Sequence, residues 1–224
     1  VGGECMNVGC IPSKALLRMG KLRASVHKFP RMGLEAIDPP GLAGTFRSIQ
    51  SSLDYIGDKK TMSAFAKVDM VYQEGAARFV DGHTVEVGER RITGKRIFIC
   101  TGTQPQIPDI PGLRDIDPLT NNTMFQLETV PERLVVLGSG AIACEMAQAF
   151  HRLGSQVTML FRGPGLLWRE GEAVTRALED AFTAEGIELK RDCTPARFSR
   201  DGDRISIDAG DGATITTDRV LCAL

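Results

Sequence analysis

Three absences limit what this chain of 224 residues can be. It has no run of roughly 18 consecutive apolar residues, the length needed to cross a bilayer, so no membrane-spanning helix is expected. It also has no excess of charge of one sign, because 27 Lys and Arg oppose 28 Asp and Glu for a formal net charge of -1. Polyanionic partners are attracted by net positive charge. The sequence therefore predicts neither a nucleic-acid nor a membrane partner.

Cysteine is too sparse for a disulfide-scaffolded fold, with six residues of which four are scattered singly. A structural zinc site normally shows two ligand pairs at short spacing, and a second pair is missing, so we predict no metal ligands. Cys100, Cys144 and Cys222 lie in apolar runs and are predicted to be buried small hydrophobic residues. Cys193 lies in a polar segment and receives no role.

Length and termini suggest part of a larger protein. With 42% hydrophobic and 25% charged residues, the composition is that of a globular protein, and the length exceeds a typical single domain. No secretory signal precedes Val1, so a cytoplasmic location is expected. Because the chain starts with Val and stops at Leu224 within an apolar run, we interpret it as a fragment.

Cys5 and Cys10 are the most informative residues present. They precede a helical pattern, and a thiol at a helix N-terminus is expected to have a lowered pKa and to react as the thiolate. Residues five apart in an ideal helix are too distant for a disulfide, so a redox pair would need a distorted turn, which Gly9 and Pro12 could supply. The alternative is two unbonded core cysteines.

A second motif follows the apolar run 133–137. Gly138, Gly140 and Ala143 have the G-x-G-x-x-G/A spacing between a predicted strand and a predicted helix. The first glycine permits the tight turn, the second lets the backbone approach a pyrophosphate, and the small third residue lets helix and strand pack closely. The helix N-terminus then offers unpaired N–H groups to phosphates. The pattern predicts a dinucleotide site.

The next strand ends in Phe161 and Arg162, and no acidic residue follows until Glu170. An acid at this place would accept hydrogen bonds from the ribose hydroxyls of NAD, whereas an arginine suits the 2′-phosphate of NADP. Arg162, with Arg169 as a second contact, therefore predicts NADP in preference to NAD. The alternative is an ordinary solvated arginine.

Residues 2–16, GGECMNVGCIPSKAL, resemble the redox-active disulfide segment of class I pyridine nucleotide-disulfide oxidoreductases, which include dihydrolipoamide dehydrogenase, glutathione reductase and mercuric reductase. The resemblance implies FAD and NAD(P) as cofactors, with electrons passing between NAD(P)H, FAD and a Cys5–Cys10 disulfide. It makes Cys5 the interchange thiol and Cys10 the thiol facing the flavin.

The same resemblance assigns further residues. It pairs Lys14 with Glu145 beside the flavin, and it places three residues at the cofactor site on the flavin side: Gly3, Thr101 and Gly102. The aromatic gate over the nicotinamide pocket of some members would fall at Ala141, which is counted with the dinucleotide site. The missing gate argues against a glutathione-reductase-like protein.

The expected fold class is α/β, with two Rossmann-like nucleotide-binding domains and a small antiparallel meander. Residues 1–115 are predicted to be an incomplete FAD-binding domain, and residues 116–224 are predicted to be a nearly complete NAD(P)-binding domain. Near the end of the first domain, residues 96–100 are predicted to form a strand that is buried on both faces. Helices are predicted over residues 11–28, 46–65 with a break at Gly57, 141–153 and 172–185. The last helix has an apolar face of Val174, Ala177, Leu178, Ala181 and Phe182. Turns around residues 201–203 and 210–212 are predicted to join three short strands after it.

Two functional classes remain open at the level of sequence. The first is a flavin-dependent disulfide oxidoreductase, whose substrate is a small disulfide, a dithiol or a metal ion, in a dihydrolipoamide dehydrogenase-like or mercuric reductase-like protein. The second is a non-catalytic NADP-binding module or inactive fragment. The resemblance implies a homodimer formed through a C-terminal domain outside this chain, which would also carry the catalytic histidine. The chain's own histidines, at positions 27, 83 and 151, are taken as ordinary surface or helix residues.

Overall fold

The computed structural model describes residues 3–57 and 61–224. The chain divides into two compact units, each with its own internal contacts. The first contains Gly3 and the described part of Asp54–Gln104, and the second contains Glu4–Leu53 and Pro105–Leu224. The predicted domain boundary after residue 115 concerns the domains of a whole protein and stays a prediction.

The second unit begins with a short helix α1 (Glu4–Asn7), a long helix α2 (Cys10–Ser25) and the amphipathic α3 (Thr45–Ile56), whose last three residues are counted with the first unit. Helix α3 buries Phe46, Ile49 and Leu53 at spacings of three and four residues, which is the period of one helix face. Helix α2 packs closely on a later helix, because a Cβ on Gly20 would lie 3.0 Å from the Ala149 carbonyl oxygen.

A four-stranded parallel sheet forms the centre of the second unit, in the order β10-β4-β5-β6. The strands are β4 (Arg133–Leu137), β5 (Gln156–Leu160), β6 (Glu188–Lys190) and β10 (Arg219–Cys222). Residues 134–137 are all buried without alternation, as expected for a strand covered on both faces. The sequence prediction of this strand is confirmed.

Helices α5 (Ala141–Leu153) and α6 (Glu172–Glu185) connect these strands, and both end at a glycine with positive φ. Helix α5 is buried along most of its length, and its Phe150 ring lies 6.3 Å from that of Phe46. Both helices have the predicted bounds. The predicted apolar face of α6 is only partly correct, because Val174 is exposed whereas Glu179 is buried.

Three antiparallel strands complete the second unit: β7 (Arg197–Asp201), β8 (Arg204–Asp208) and β9 (Thr214–Thr217). They pack a second apolar cluster, including Phe198, Ile205 and Ile207, against Val135 and Leu137 of the parallel sheet. The turns predicted around residues 201–203 and 210–212 connect these strands.

The first unit contains the predicted antiparallel meander, with β1 (Ala77–Phe79), β2 (Thr84–Val87) and β3 (Arg90–Thr93). It also contains the single turn of α4 (Met62–Ala64). The helical stretch predicted over residues 46–65 is present as α3 and α4, and residues 58–60, beside the break predicted at Gly57, lie outside the described residues.

The buried strand predicted over residues 96–100 is wrong for this structure. Residues 97–104 form neither helix nor strand, and Phe98 and Ile99 are 83% and 70% exposed. Cys100, which was predicted to be buried, is exposed as well. An apolar run becomes a strand only where a neighbouring strand accepts its backbone hydrogen bonds, and the described residues offer this segment none. Within the described ranges, none of the helices is long and apolar enough to cross a membrane.

Candidate functional site

Cys5 and Cys10 lie on either side of a break between two helices. Cys5 is in α1 and Cys10 begins α2, and both thiols are free and exposed. The break falls at Gly9, where a Cβ would lie 3.0 Å from the Cys5 Cα and 3.0 Å from the Glu4 carbonyl oxygen. The distorted turn that the sequence predicted is therefore present, and Gly9 permits it. It brings the two thiols close enough that Cys5 raises the pKa of Cys10.

The electrostatics of Cys10 differ from the prediction. The pKa of Cys10 is raised above its ordinary value, chiefly because its side chain hydrogen-bonds to Cys5, and then through desolvation. Lys14 acts in the opposite direction but is the smallest cause. The lowered pKa expected for a thiol at a helix start is thus wrong for Cys10, since the partner thiol outweighs the helix end. The pair is a neighbouring dithiol with a shared hydrogen bond.

Lys14 pairs with Glu145, as the sequence predicted. The Lys14 Nζ lies 2.5 Å from the Glu145 Oε1, with the two side chains 61% and 38% exposed. The pair joins α2, one turn after Cys10, to the first half of α5, directly after the glycine turn. The contact is confirmed, and its role in catalysis stays a prediction.

The glycine turn lies at the carboxyl end of the parallel sheet, between β4 and α5. Gly138 has φ +124°, and a Cβ there would lie 2.3 Å from the Ala223 carbonyl oxygen, so only glycine fits. Ala143 is fully buried, as the close packing of helix and strand requires. A Cβ on Gly140 would meet nothing within 4 Å, and Ala141 begins the helix beside it with an exposed side chain. The turn thus leaves the open approach to a helix N-terminus that a dinucleotide pyrophosphate needs.

The basic loop, defined as residues 162–171, follows β5 at the same end of the sheet. Arg162 is exposed and makes no hydrogen bond or ion pair with any described residue. The Arg169 guanidinium lies 5.1 Å from the centre of the Trp168 ring, which is a cation–π contact. Both arginines are therefore available to an anion, and they share one loop.

Two hydrogen bonds fix the backbone of this loop. The Leu167 N–H donates to the Ser139 carbonyl in the glycine turn, at 2.9 Å. The Leu166 N–H donates to the Glu179 carboxylate of α6, at 3.1 Å. Sequence reasoning missed Glu179, because an acid inside a helix carries no motif. A signal was present in hindsight, since Glu179 occupies a position on the same face as Phe182.

The residues that the resemblance assigned to the flavin side lie in the first unit. Gly3, Thr101 and Gly102 are all exposed and belong to the first unit, where the segment around residues 101–102 has no regular structure. The described part of that unit contains an antiparallel meander and no parallel sheet. The flavin role of these residues stays a prediction, whereas the glycine turn of the second unit has the geometry of a dinucleotide site.

A cavity of about 930 Å³ at the other end of the second unit is lined by several Lys, Arg and His residues together with Glu185 and Glu188, and three of the basic residues contact the ends of α5 or α6. Arg23 donates to the Arg152 carbonyl, and a His151 ring nitrogen lies 2.7 Å from the Glu185 carbonyl oxygen. Arg152 pairs with the Glu185 carboxylate. The first two contacts satisfy orphan carbonyls at helix C-termini. Within the described ranges, no group of three or more His, Cys, Asp or Glu residues could hold a metal ion.

The family model for pyridine nucleotide-disulphide oxidoreductases matches residues 1–224. The chain belongs to this family, whose members depend on FAD and NAD(P).

Two similar proteins are mercuric reductases. The chain is 34% identical to mercuric reductase of Lysinibacillus sphaericus, with all of this chain and 42% of that protein covered. It is 37% identical to mercuric reductase of Bacillus cereus, over 91% of this chain and 32% of that protein. The chain thus spans less than half the length of these relatives. Among solved structures, the HOCl-induced flavoprotein disulfide reductase RclA from Escherichia coli superposes with a TM-score of 0.83 at 24% identity, over 99% of this chain and 48% of that one. That likeness concerns the fold.

Proposed function

We propose that this chain belongs to an NADPH-dependent oxidoreductase that reduces mercuric ion. It is the part of that protein that carries the reactive dithiol and binds the dinucleotide. The observation that carries the proposal is the placement of the exposed Cys5–Cys10 dithiol one helical turn from Lys14, whose partner Glu145 lies on the helix of the glycine turn. A reducible sulfur pair and a nucleotide site on two helices in direct contact are the parts that this chemistry requires.

The roles of the chain's own residues follow from their positions. Gly138, Gly140 and the start of α5 would bind the pyrophosphate, and Arg162 with Arg169 would bind the 2′-phosphate. Cys5 would act as the interchange thiol and Cys10 as the thiol nearer the electron donor. Lys14 and Glu145 would fix the relative orientation of α2 and α5. FAD, the family's carrier of electrons between nicotinamide and sulfur, is proposed for the whole protein and not for these residues alone.

Mercuric ion is the proposed substrate because the relatives at 34% and 37% identity are mercuric reductases. Thiolates are soft ligands, and two neighbouring thiols suit a soft metal ion. The overall reaction balances without another reactant: NADPH and Hg(II) yield NADP, Hg(0) and one proton, since the hydride supplies two electrons and a proton. Lipoamide is the second candidate substrate: the reduced Cys5–Cys10 pair would be oxidised to its disulfide while the lipoamide disulfide is reduced to dihydrolipoamide.

The test uses the full-length protein purified with its flavin. We expect NADPH oxidation that depends on added Hg(II) and that falls at least about a hundredfold in the Cys10→Ala variant, as expected for loss of a group that reacts directly. Cys222→Ala is the matched control, because this thiol is buried in the parallel sheet. NADPH oxidation that needs lipoamide and ignores Hg(II) would transfer the proposal to a dihydrolipoamide dehydrogenase. A protein that binds NADPH without oxidising it under either condition would support the non-catalytic binding module.

A further inference from the structure

Glu179 of α6 binds the backbone of the basic loop through its carboxylate. Its side chain is buried, with 8% of the residue exposed, although acidic residues are rarely buried unless paired. One carboxylate oxygen accepts the Leu166 N–H at 3.1 Å. The other accepts from the Arg191 guanidinium at 2.5 Å, and a second Arg191 nitrogen lies 3.3 Å from the first oxygen. The ion pair thus neutralises a carboxylate whose second function is to bind loop backbone.

The loop backbone also packs closely against α6 at Gly165. A Cβ at this position would lie 2.9 Å from the Glu179 Oε1 and 2.4 Å from the Thr175 Cγ2. Leu167 then adopts φ +48°, a left-handed conformation that costs a leucine energy and persists only where surrounding contacts impose it. The Glu179 bond at Leu166 and the Ser139 bond at Leu167 are those contacts.

We propose that Glu179 is the positioning residue for recognition of the NADP 2′-phosphate, acting through the backbone of the basic loop. This inference rests on the proposed preference for NADP. Arg162 and Arg169 lie at the two ends of a segment whose middle is bound to α6 and to the glycine turn. An anchored loop presents both guanidinium groups without the entropy that ordering a free loop would cost on binding.

The experiment measures binding of 2′-phospho-ADP-ribose and of ADP-ribose to the 224-residue chain by titration calorimetry. In Glu179→Ala we expect the preference for the phosphorylated ligand to fall roughly 3- to 10-fold, the value of one hydrogen bond, with ADP-ribose affinity nearly unchanged. Glu179→Gln should retain most of the preference, because its amide oxygen still accepts the Leu166 N–H. Asp180→Ala is the control, an exposed acid at the next position of the same helix.

Trp168 gives a second readout, since it is the chain's single tryptophan and lies in the basic loop. Its emission should become easier to quench with acrylamide in Glu179→Ala and stay unchanged in Asp180→Ala. If Glu179→Ala does not fold, Glu179→Asp replaces it, because the shorter side chain cannot span both Leu166 and Arg191, and it should lose the preference.

The two proposals fail in distinguishable ways. A wild-type chain that binds both ligands equally would overturn the NADP preference, and the role of Glu179 with it. A wild-type chain that prefers the phosphorylated ligand, together with a Glu179→Ala or Glu179→Asp variant that keeps this preference, would overturn only the positioning role.

Discussion

Lys14 and Glu145 are 131 positions apart in the chain, and their side chains meet at 2.5 Å. The contact joins the helix that begins at Cys10 to the helix that begins after the glycine turn. The two helices pack closely along their length, since Gly20 of α2 lies against the Ala149 carbonyl of α5. A link of this kind makes the dithiol and the nucleotide site parts of one unit.

The Lys14–Glu145 pair is expected to contribute little to stability. Both side chains are substantially exposed, at 61% and 38%, and solvent screens such pairs to about 0–1 kcal/mol. In Lys14→Met we therefore expect a loss of less than about 1 kcal/mol in the free energy of unfolding, measured in urea. Arg176→Met, which removes an exposed pair within α6, is the control. A loss of more than about 2 kcal/mol would mean that the pair supports the packing of α2 on α5.

The hydrogen bond between the two thiols predicts the pH dependence of Cys10. Because Cys5 raises the pKa of Cys10, the Cys10 thiolate should form at a higher pH than that of an ordinary thiol. In Cys5→Ala the pKa of Cys10 should fall, and alkylation by iodoacetamide should reach its half-maximal rate at a lower pH.

Mass spectrometry of the alkylated peptides measures this shift. Cys144 is the internal control, because burial raises its pKa to about 12 and it should stay unmodified over the same pH range. A Cys10 profile that is identical in wild type and Cys5→Ala would contradict the hydrogen bond.

Arg162 is expected to decide between the two nicotinamide cofactors. Arg162→Glu places a negative charge at the end of β5, where it would repel a 2′-phosphate and accept from a ribose hydroxyl. We expect NADPH affinity to fall at least about tenfold while NADH affinity is retained or improved, since a lost charged contact is worth roughly 1.5–3 kcal/mol. Calorimetric titration with both nucleotides measures the difference. Arg197→Glu, an exposed arginine on β7, is the control, and equal losses for NADPH and NADH in Arg162→Glu would refute the assignment.

The two glycines of the turn should respond differently to alanine. Gly138→Ala puts a Cβ 2.3 Å from the Ala223 carbonyl oxygen at φ +124°, so we expect a loss of roughly 1–3 kcal/mol in stability. Gly140→Ala meets open space at a negative φ, and we expect unchanged thermal stability with weaker dinucleotide binding. Thermal unfolding and calorimetric titration measure the two effects. If Gly140→Ala binds as well as wild type, the pyrophosphate does not approach at this turn.

Much of the second unit was predictable because its signals are local. The uninterrupted apolar run at 133–137, the glycine spacing after it and the stop at Gly154 specify a strand, a turn and a helix without help from distant residues. The Cys5–Cys10 segment was likewise recognisable, since Gly9 and the helix pattern after it are adjacent in the chain.

Tertiary structure decided the properties that depend on contacts between residues distant in the chain. Residues 96–100 have the composition of a buried strand, yet backbone hydrogen bonds must come from a neighbour, and this segment stays exposed among the described residues. The pKa of Cys10 depends on which side chain contacts it, and the thiol of Cys5 reverses the expected direction. From sequence alone, Glu179 looks like an ordinary solvent-exposed acid on a helix. Only the fold brings the Leu166 N–H and the Arg191 guanidinium to its carboxylate. Local patterns thus determine the helices and the strand–turn–helix unit around Gly138, whereas strand pairing, burial and charge pairing are set by residues far apart in the chain.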